Sequence, residues 1–245
     1  MLLRYSRQTV FDEIGYKGQN KLLDSKVAII GLGATGSVIA NNLCRAGVGS
    51  LRFVDKDFVK LEDLQRQLLY DEEDAKIPRE KVTAAFNRLS KVNSEISIEP
   101  VFAYANETNI EKLICDVDLV LDGTDNIEAR YLINEACVRA EKPWIYAGVT
   151  THEGLTMNIL PGETACFNCL YSAQTTSMAY PKCSSIGVLN SITNVIASVS
   201  STEAIKILIG SKKVRKNLFH IDLWNNASDY LEVERNPDCP VCGKS

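Results

Sequence analysis

The fold is decided by residues 27–67, VAIIGLGATGSVIANNLCRAGVGSLRFVDKDFVKLEDLQRQ. The apolar run Val27–Ile30 predicts a buried strand, the glycine-rich residues 31–36 predict a tight turn, and the residues that follow predict a helix through about Ala46. A second strand is expected to end at Asp55. This succession of strand, turn, helix and strand is typical of a nucleotide-binding βαβ unit.

The turn has the spacing GxGxxG, whose glycines let the backbone turn tightly and approach a phosphate. The helix that follows points its first N–H groups at that anion, and a carboxylate about twenty residues further on suits the ribose hydroxyls. The nucleotide-binding candidates in this unit are Gly31, Gly33, Ala34, Gly36 and Asp55. The same turn is found in NAD-dependent oxidoreductases, so the glycine motif alone leaves that class open.

The segment directly after this unit weighs against an oxidoreductase. Residues 64–67 read Leu-Gln-Arg-Gln, and an NAD site has no need of a guanidinium such as that of Arg66 at this place. A fixed cation beside a nucleotide is useful in phosphoryl chemistry, because negative charge grows on the phosphate oxygens in the transition state.

Length, charge and the N-terminal residues exclude several classes of protein. A chain of 245 residues can bury an α/β core without disulfides, and its formal net charge of −4 argues against a general nucleic-acid surface. No apolar run approaches the about 18 residues that span a bilayer. The N-terminal residues, MLLRYSRQ, lack a long apolar core followed by a cleavage site. We therefore expect a cytoplasmic protein whose nucleotide is a small molecule.

Strands alternate with helices as far as residue 147. The expected elements are a helix at Glu80–Asn93, a strand at Ile96–Val101, a helix at Asn109–Cys115, a strand at Val117–Leu121, a helix at Ala129–Ala140 and a strand at Pro143–Ala147. This order predicts a Rossmann-like, doubly wound and mainly parallel sheet, whose ligands lie beyond the carboxyl ends of the strands. Asp122 and Asp125 should therefore lie at the same edge as Gly33 and Asp55.

From Gly148 onward the pattern predicts antiparallel strands that extend the sheet. The expected elements are a strand at Leu155–Leu160, a helix near Thr193–Ile209, and strands at Leu218–Leu223 and Asp229–Glu234. Helical turns are expected over Leu2–Leu23, with interruptions at Gly15 and Gly18. Residues 172–185 are polar and aperiodic, which predicts a crossover loop with a functional task.

Four of the eight cysteines form two CxxC pairs, Cys166 with Cys169 and Cys239 with Cys242. Two residues between thiolates let both sulfurs face one ion, and four such ligands close a tetrahedral zinc site with no position left for water. The alternatives are two unrelated surface pairs or a redox disulfide, although redox CxxC motifs normally stand alone at a helix start. We predict a structural zinc ion that ties the C-terminal residues to the middle of the chain.

These motifs together resemble those of the ThiF/MoeB/HesA family, the prokaryotic branch of the ubiquitin-activating enzyme superfamily. The matching segments follow the family's order along nearly the whole chain: RYSRQ (4–8), GLGATG (31–36), DLQRQ (63–67), LVLDGTDN (119–126) and the two CxxC pairs. The resemblance implies a single adenylation domain. Within it we expect an N-terminal helical arm (about 1–25), a nucleotide-binding part (about 26–147), and an antiparallel part that binds zinc and a carrier protein (about 148–245).

The resemblance implies a homodimeric adenylyltransferase that uses ATP and Mg²⁺. Its substrate would be the C-terminal glycine carboxylate of a ubiquitin-like sulfur-carrier protein similar to ThiS or MoaD, which becomes an acyl-adenylate as pyrophosphate leaves. The sulfur would come from a separate donor protein. One alternative keeps this chemistry but adenylates a small-molecule or peptide carboxylate. Another is a non-catalytic scaffold, against which the cationic and acidic residues of the motifs weigh.

The resemblance also implies roles for single residues. Arg66 and Lys81 would contact the phosphates, Asp125 would hold magnesium, and Arg7 would reach the nucleotide of the neighbouring subunit. Further nucleotide contacts are implied for Asp63, Gln65 and Asn126. Cys183, in the expected crossover loop, stands where some members of the family form a thioester or persulfide. Because other members adenylate without this thiol, its covalent role is a hypothesis.

Several of these assignments have alternatives. Lys76 is a weaker candidate for the phosphate contact, Asp125 could instead cap the following helix, and Asp122 fits a capping or turn residue. Asp63 departs from the family's usual asparagine, which places an additional negative charge near the nucleotide. That charge puts the contact at this position, and the number of metal ions bound, in question.

Overall fold

The computed structural model describes residues 3–171 and 187–243 of the chain. Within this part, the strands are β1 Lys26–Ile30, β2 Ser50–Asp55, β3 Ser97–Phe102, β4 Leu119–Asp122, β5 Trp144–Thr150, β6 Glu153–Ile159, β7 Leu218–Asp222 and β8 Ala227–Leu231. The helices are α1 Ser6–Thr9, α2 Gly15–Asp24, α3 Ala34–Ala46, α4 Glu72–Lys76, α5 Lys81–Val92, α6 Ile110–Ile114, α7 Ile127–Arg139, α8 Phe167–Leu170 and α9 Asn190–Ile209.

All eight strands form one sheet in the order β3-β2-β1-β4-β5-β6-β7-β8. β1 to β5 pair in parallel, and β6, β7 and β8 are added antiparallel. The predicted fold class is therefore confirmed. The chain moves outward from β1 to β3 and then crosses to β4 on the other side of β1, which makes the gap above β1 and β4 the switch point where such sheets bind ligands.

Helices cover both faces of the parallel part. One face packs α2, α3, α5 and α9 into a core that includes Ile29, Phe53 and Leu121. The other face packs α6 and α7 against Ala28 and Val120, and the cysteine pairs extend this second core. Successive side chains of a strand point to opposite faces, so the apolar runs of β1 and β4 are buried on both sides.

The structure differs most from the expected elements at three places. Gly18 does not interrupt the N-terminal helix but lies inside α2, where it packs closely against Ile14 and Ile209. α9 starts at Asn190 rather than near Thr193. The last strand is Ala227–Leu231, because β8 is exposed along its whole length and no burial pattern marks its ends.

Length and mean hydropathy alone would let α9 cross a bilayer, which the sequence analysis did not anticipate. Half of its apolar stretch is buried inside the protein, where Ile192, Ile196 and Ala204 are fully buried. The helix packs against α3 and the strands β5 and β6. It is thus the central helix of one face of the sheet.

Glycines hold the chain together at the switch point. Gly31 has φ +90°, and a Cβ atom there would lie 2.6 Å from the carbonyl of Gly123, at the end of β4. A Cβ on Gly36 would lie 2.0 Å from the Gly31 oxygen, and one on Gly123 would lie 2.2 Å from the same oxygen. These three positions exclude any side chain, so the turn after β1 and the turn after β4 touch backbone to backbone.

We expect Gly123→Ala to destabilise the protein by about 1–3 kcal/mol, because the added methyl group forces the two turns apart. Thermal unfolding measures this, at roughly 3 °C per kcal/mol for a chain of this size. Gly33→Ala is the control, since a Cβ there meets nothing closer than 3.8 Å. Equal melting temperatures for wild type and Gly123→Ala would show that the turns are not tightly packed.

Candidate active site

The Asp55 carboxylate is held by the backbone beside the glycine turn. Its Oδ2 accepts from Leu32 N at 2.7 Å, and its Oδ1 accepts from Asp57 N at 2.8 Å. Burial raises the pKa of Asp55, while these two N–H groups act in the opposite direction. The Tyr70 hydroxyl donates to Leu32 O at 2.8 Å and fixes the turn from the other side. Asp55 is therefore fixed directly beside the glycine turn.

The N-terminus of α3 directly follows the glycine turn. Its N-cap is Gly33, which has no side chain with which to accept from the first N–H groups of the helix. Ser37, in the first turns of α3, accepts from Leu68 N at 3.2 Å and so anchors the LQRQ segment beside the helix start. A helix start that lacks a side-chain cap, beside a turn that admits no Cβ, fits a nucleotide phosphate.

Lys81 and Arg66 converge on Asp63. Lys81 Nζ lies 3.7 Å from Asp63 Oδ2 and 3.5 Å from Asp57 Oδ2, and its side chain is only 8% exposed. Arg66 Nη2 lies 3.7 Å from Asp63 Oδ1, while Arg66 Nη1 donates to Glu62 O at 2.8 Å. The sequence-predicted pair of cations is thus brought together, and a carboxylate lies between them.

The other residues of the LQRQ region divide into buried and exposed ones. Asp63 is buried and accepts from Lys60 N at 3.1 Å and from Gln67 Nε2 at 2.7 Å. Gln65 is exposed to solvent. Lys76, the weaker phosphate candidate, lies 3.9 Å from Glu72 on the exposed surface of α4, apart from this cluster.

Asp122 is a fully buried structural residue at the end of β4. It accepts from Thr124 N at 2.8 Å and from Thr124 Oγ1 at 2.6 Å, as expected for a turn residue. Its other oxygen accepts from Arg130 Nε at 2.9 Å. Arg130 also donates to Thr124 O at 2.8 Å and to Ala147 O at 3.2 Å. This buried ion pair shapes the turn that carries Gly123.

The helix cap after β4 is Asn126, not Asp125. Asn126 Oδ1 accepts from Ala129 N at 2.8 Å, so the alternative capping role of Asp125 is wrong. Asp125 is exposed at the carboxyl edge of the sheet, one residue from the Thr124 backbone that Arg130 holds. Its magnesium role stays a prediction that this placement permits.

Arg7 does not lie at the glycine turn of its own chain. It is exposed on α1, where the neighbouring Gln8 donates to Ala46 O at 2.9 Å at the far end of α3. A helix of 13 residues is about 20 Å long. Any contact of Arg7 with a nucleotide therefore has to be made in a second subunit.

The hypothesis for Cys183 and the expected loop at residues 172–185 lie outside the described residues.

The four CxxC sulfurs form one cluster. Sγ–Sγ distances are 3.9 Å for Cys166 to Cys169, 3.6 Å for Cys166 to Cys239 and 3.4 Å for Cys169 to Cys242, and all four sulfurs lie within 4.8 Å of one another. Four sulfurs at 2.3 Å from one tetrahedral zinc ion would be about 3.8 Å apart. Burial raises the pKa of Cys166, which disfavours its thiolate unless a cation compensates. The cluster could hold a zinc ion.

Three residues of the site were missed by sequence reasoning. Gly123 was visible within DGTDN, but its contact with Gly31 depends on two strands that are distant in sequence. Arg130 looked like an ordinary surface residue of a helix, and only the fold places it against Asp122. Asp57 resembled a loop carboxylate, whereas Lys81 N donates to its carbonyl at 2.9 Å and fixes the start of α5.

Comparison with known proteins supplies the family. The model described as the ThiF family matches residues 5–241. A sulfur carrier protein ThiS adenylyltransferase from Bacillus subtilis is 36% identical over 242 residues, which cover 98% of this chain and 71% of that protein. A molybdopterin-synthase adenylyltransferase from Escherichia coli is 35% identical over 245 residues, covering 99% and 97%. A crystal structure of E. coli MccB with ATP superposes with TM-score 0.85 at 25% identity, covering 98% of this chain and 75% of that one.

We expect the purified protein to contain about one zinc ion per chain, measurable by elemental analysis. Cys239→Ser should lose most of the metal and lower the thermal stability, because the remaining three thiolates no longer close the site. Cys115→Ser is the matched control, since Cys115 is an exposed thiol outside the cluster. Undiminished zinc in Cys239→Ser would contradict the assignment.

Proposed function

This chain belongs to the ThiF family, and from that premise we propose that it activates the C-terminal glycine carboxylate of a ubiquitin-like sulfur carrier. The enzyme is an ATP-dependent adenylyltransferase that forms an acyl-adenylate and releases pyrophosphate. The observation that supports this most strongly is the glycine turn that leads into α3, whose start has no side-chain cap, beside the segment that carries Arg66 and its shared partner with Lys81, Asp63. The curated relatives, named as carrier-protein adenylyltransferases, favour this substrate over a small carboxylate.

The chemistry needs charge stabilisation rather than proton transfer. A carboxylate is already ionised at neutral pH, so it can attack the α-phosphorus of ATP without a general base. Negative charge then grows on the pentacoordinate phosphorus oxygens and on the departing pyrophosphate. Fixed cations lower this barrier because they are in place before the charge develops. Lys81 and Arg66 are the cations that the cluster offers for this task.

We assign the remaining contacts from their positions. The glycine turn and the start of α3 would hold phosphate, and Asp55 would accept from the ribose hydroxyls. Asp125, exposed at the same edge, would hold Mg²⁺, whose charge would offset that of the triphosphate. The cysteine cluster would contribute zinc-dependent stability far from the reacting atoms.

We further propose a homodimer in which Arg7 completes the site of the partner subunit. Its place supports this, because Gln8 anchors α1 to Ala46 at the end of α3 away from the glycine turn. Cys183 is proposed as the thiol that attacks the acyl-adenylate, which would form a thioester as AMP leaves. A sulfur nucleophile from a separate donor would then displace the Cys183 thiol from the thioester. We propose a cytoplasmic location. Thiamine synthesis, molybdopterin synthesis and tRNA thiolation all fit this chemistry.

Asp125→Asn should reduce ATP–pyrophosphate exchange by at least about a hundredfold, since the metal loses its charged ligand. Thermal stability should stay unchanged, because Asn126 rather than Asp125 caps α7. Glu128→Gln, an exposed carboxylate in the first turn of the same helix, is the control and should keep full exchange. Substantial exchange by Asp125→Asn, across a magnesium titration, would remove this residue from the site.

The substrate class is tested by exchange assays with and without a carrier from the same organism that has a free Gly-Gly terminus. We expect exchange to depend on the carrier and to disappear when its last glycine is deleted, because the reacting carboxylate is then misplaced. A protein that contains zinc and binds ATP, yet catalyses no exchange with any such carrier, would contradict the carrier assignment.

A further inference from the structure

Lys81 is a buried cation with long contacts. Its ammonium group lies 3.5 Å from Asp57 and 3.7 Å from Asp63, both beyond the usual 2.7–2.9 Å of a charged hydrogen bond. In the part of the chain that the structure describes, this side chain donates no hydrogen bond to a protein group. A buried ammonium shared between two distant carboxylates is prepared to accept a closer anionic partner.

Asp63 is bound differently from the cation beside it. Each of its oxygens accepts one hydrogen bond, from Lys60 N at 3.1 Å and from Gln67 Nε2 at 2.7 Å. These bonds fix the carboxylate independently of Lys81 and Arg66. A ligand that draws the two cations away would therefore leave Asp63 where it is.

The negative charge of Asp63 is not needed for these hydrogen bonds. An asparagine at this position could accept from Lys60 N through its oxygen and donate to Gln67 through its nitrogen. Gln67 Oε1 is buried and has no hydrogen-bond partner among the described residues, so a rotated Gln67 amide could accept that donor. Asp63→Asn therefore removes a charge with little change in local structure.

We propose that Asp63 is a positioning residue that holds Lys81 and Arg66 as an internal anion, and that the phosphates of ATP bind by drawing these two cations away from it. This rests on the proposed function for the identity of the ligand. When pyrophosphate leaves, Asp63 pairs with the cations again, which favours release. The carboxylate thus weakens phosphate binding and speeds the departure of the product.

Calorimetric titration of Asp63→Asn with ATP, pyrophosphate and adenosine tests the proposed role of Asp63 by ligand affinity alone. We expect ATP and pyrophosphate to bind about tenfold more tightly, equivalent to about 1.4 kcal/mol, while adenosine, which has no phosphate, binds as in the wild type. The increase in melting temperature on adding ATP should grow accordingly. In the exchange assay the KM for ATP should fall without a rise in kcat, because release of pyrophosphate becomes slower.

Glu62→Gln is the matched control. It removes the same charge from the neighbouring residue, but its exposed carboxylate is paired with Lys60 at 3.8 Å and not with either cation. We expect its affinity for ATP to match the wild type. Adding Lys81→Met to Asp63→Asn should remove most of the increase in ATP affinity, because the cation for which Asp63 and the phosphates compete is then absent.

Weaker ATP binding by Asp63→Asn, or equal gains in Asp63→Asn and Glu62→Gln, would overturn the proposal. Equal gains for adenosine and ATP would also overturn it. If the wild type binds ATP but shows no carrier-dependent exchange, only the proposed function is contradicted. The role of Asp63 would still be tested by comparing the ATP affinities of Asp63→Asn and the wild type. A wild type that binds neither ATP nor pyrophosphate would overturn both.

Discussion

The backbone contact between Gly31, Gly36 and Gly123 is the constraint on which the site depends. Each of the three positions would place a Cβ within 2.6 Å of a backbone atom of another, so even alanine is excluded. The contact joins the turns after β1 and β4, the two strands between which the topology of the sheet reverses. It thereby brings the start of α3 and the turn before α7 to one edge, at a spacing that no side-chain packing could achieve.

Two kinds of ion pair lie around these glycines, and they differ in how fully they are hydrogen-bonded. The Asp122–Arg130 pair is buried and hydrogen-bonded to the backbone, so it maintains the shape of the turn and is not available to a ligand. The pairs of Lys81 and Arg66 with Asp63 are longer and less fully bonded. A charged pair with short hydrogen bonds and no remaining donors or acceptors stabilises the fold. A pair with longer distances and unfilled hydrogen-bonding capacity can exchange its partner for a ligand.

The sequence allowed the sheet and the glycine turn to be predicted because these depend on local patterns. β1 and β4 are uninterrupted apolar runs, and their burial on both faces follows from that composition. The bounds of β8 were misplaced because neither of its faces is buried, so no burial pattern in its sequence marks where the strand begins and ends. The zinc ligands were predicted from spacing alone, since CxxC geometry is local even though the two pairs lie about seventy residues apart.

Long-range charge pairing was beyond the sequence. Asp63 could be recognised as an additional negative charge, but whether it faced solvent, metal or a lysine depended on how the 3₁₀ turn Leu61–Asp63 packs beside α5. Similarly, Arg130 gave no signal of its contact with Asp122, because helix positions that face a loop and those that face solvent have the same local sequence. Contacts of this kind are fixed by the tertiary fold rather than by any periodic pattern.

The charges around Lys81 also bear on what the proposed nucleotide would require of the site. Lys81 lies beside Asp57 and Asp63 and acts on Asp55, Arg66 lies beside Asp63, and Lys56 lies 3.9 Å from Asp57. The three carboxylates are therefore matched by three cations before a nucleotide adds its own negative charges. The dipole of α3 contributes only about half a positive charge at its start. In the proposed function, the added negative charge would be offset by a divalent cation at Asp125 and by a guanidinium of a second subunit. Arg7, on the helix that is anchored at the end of α3 away from its own glycine turn, is the guanidinium that the proposed dimer would supply.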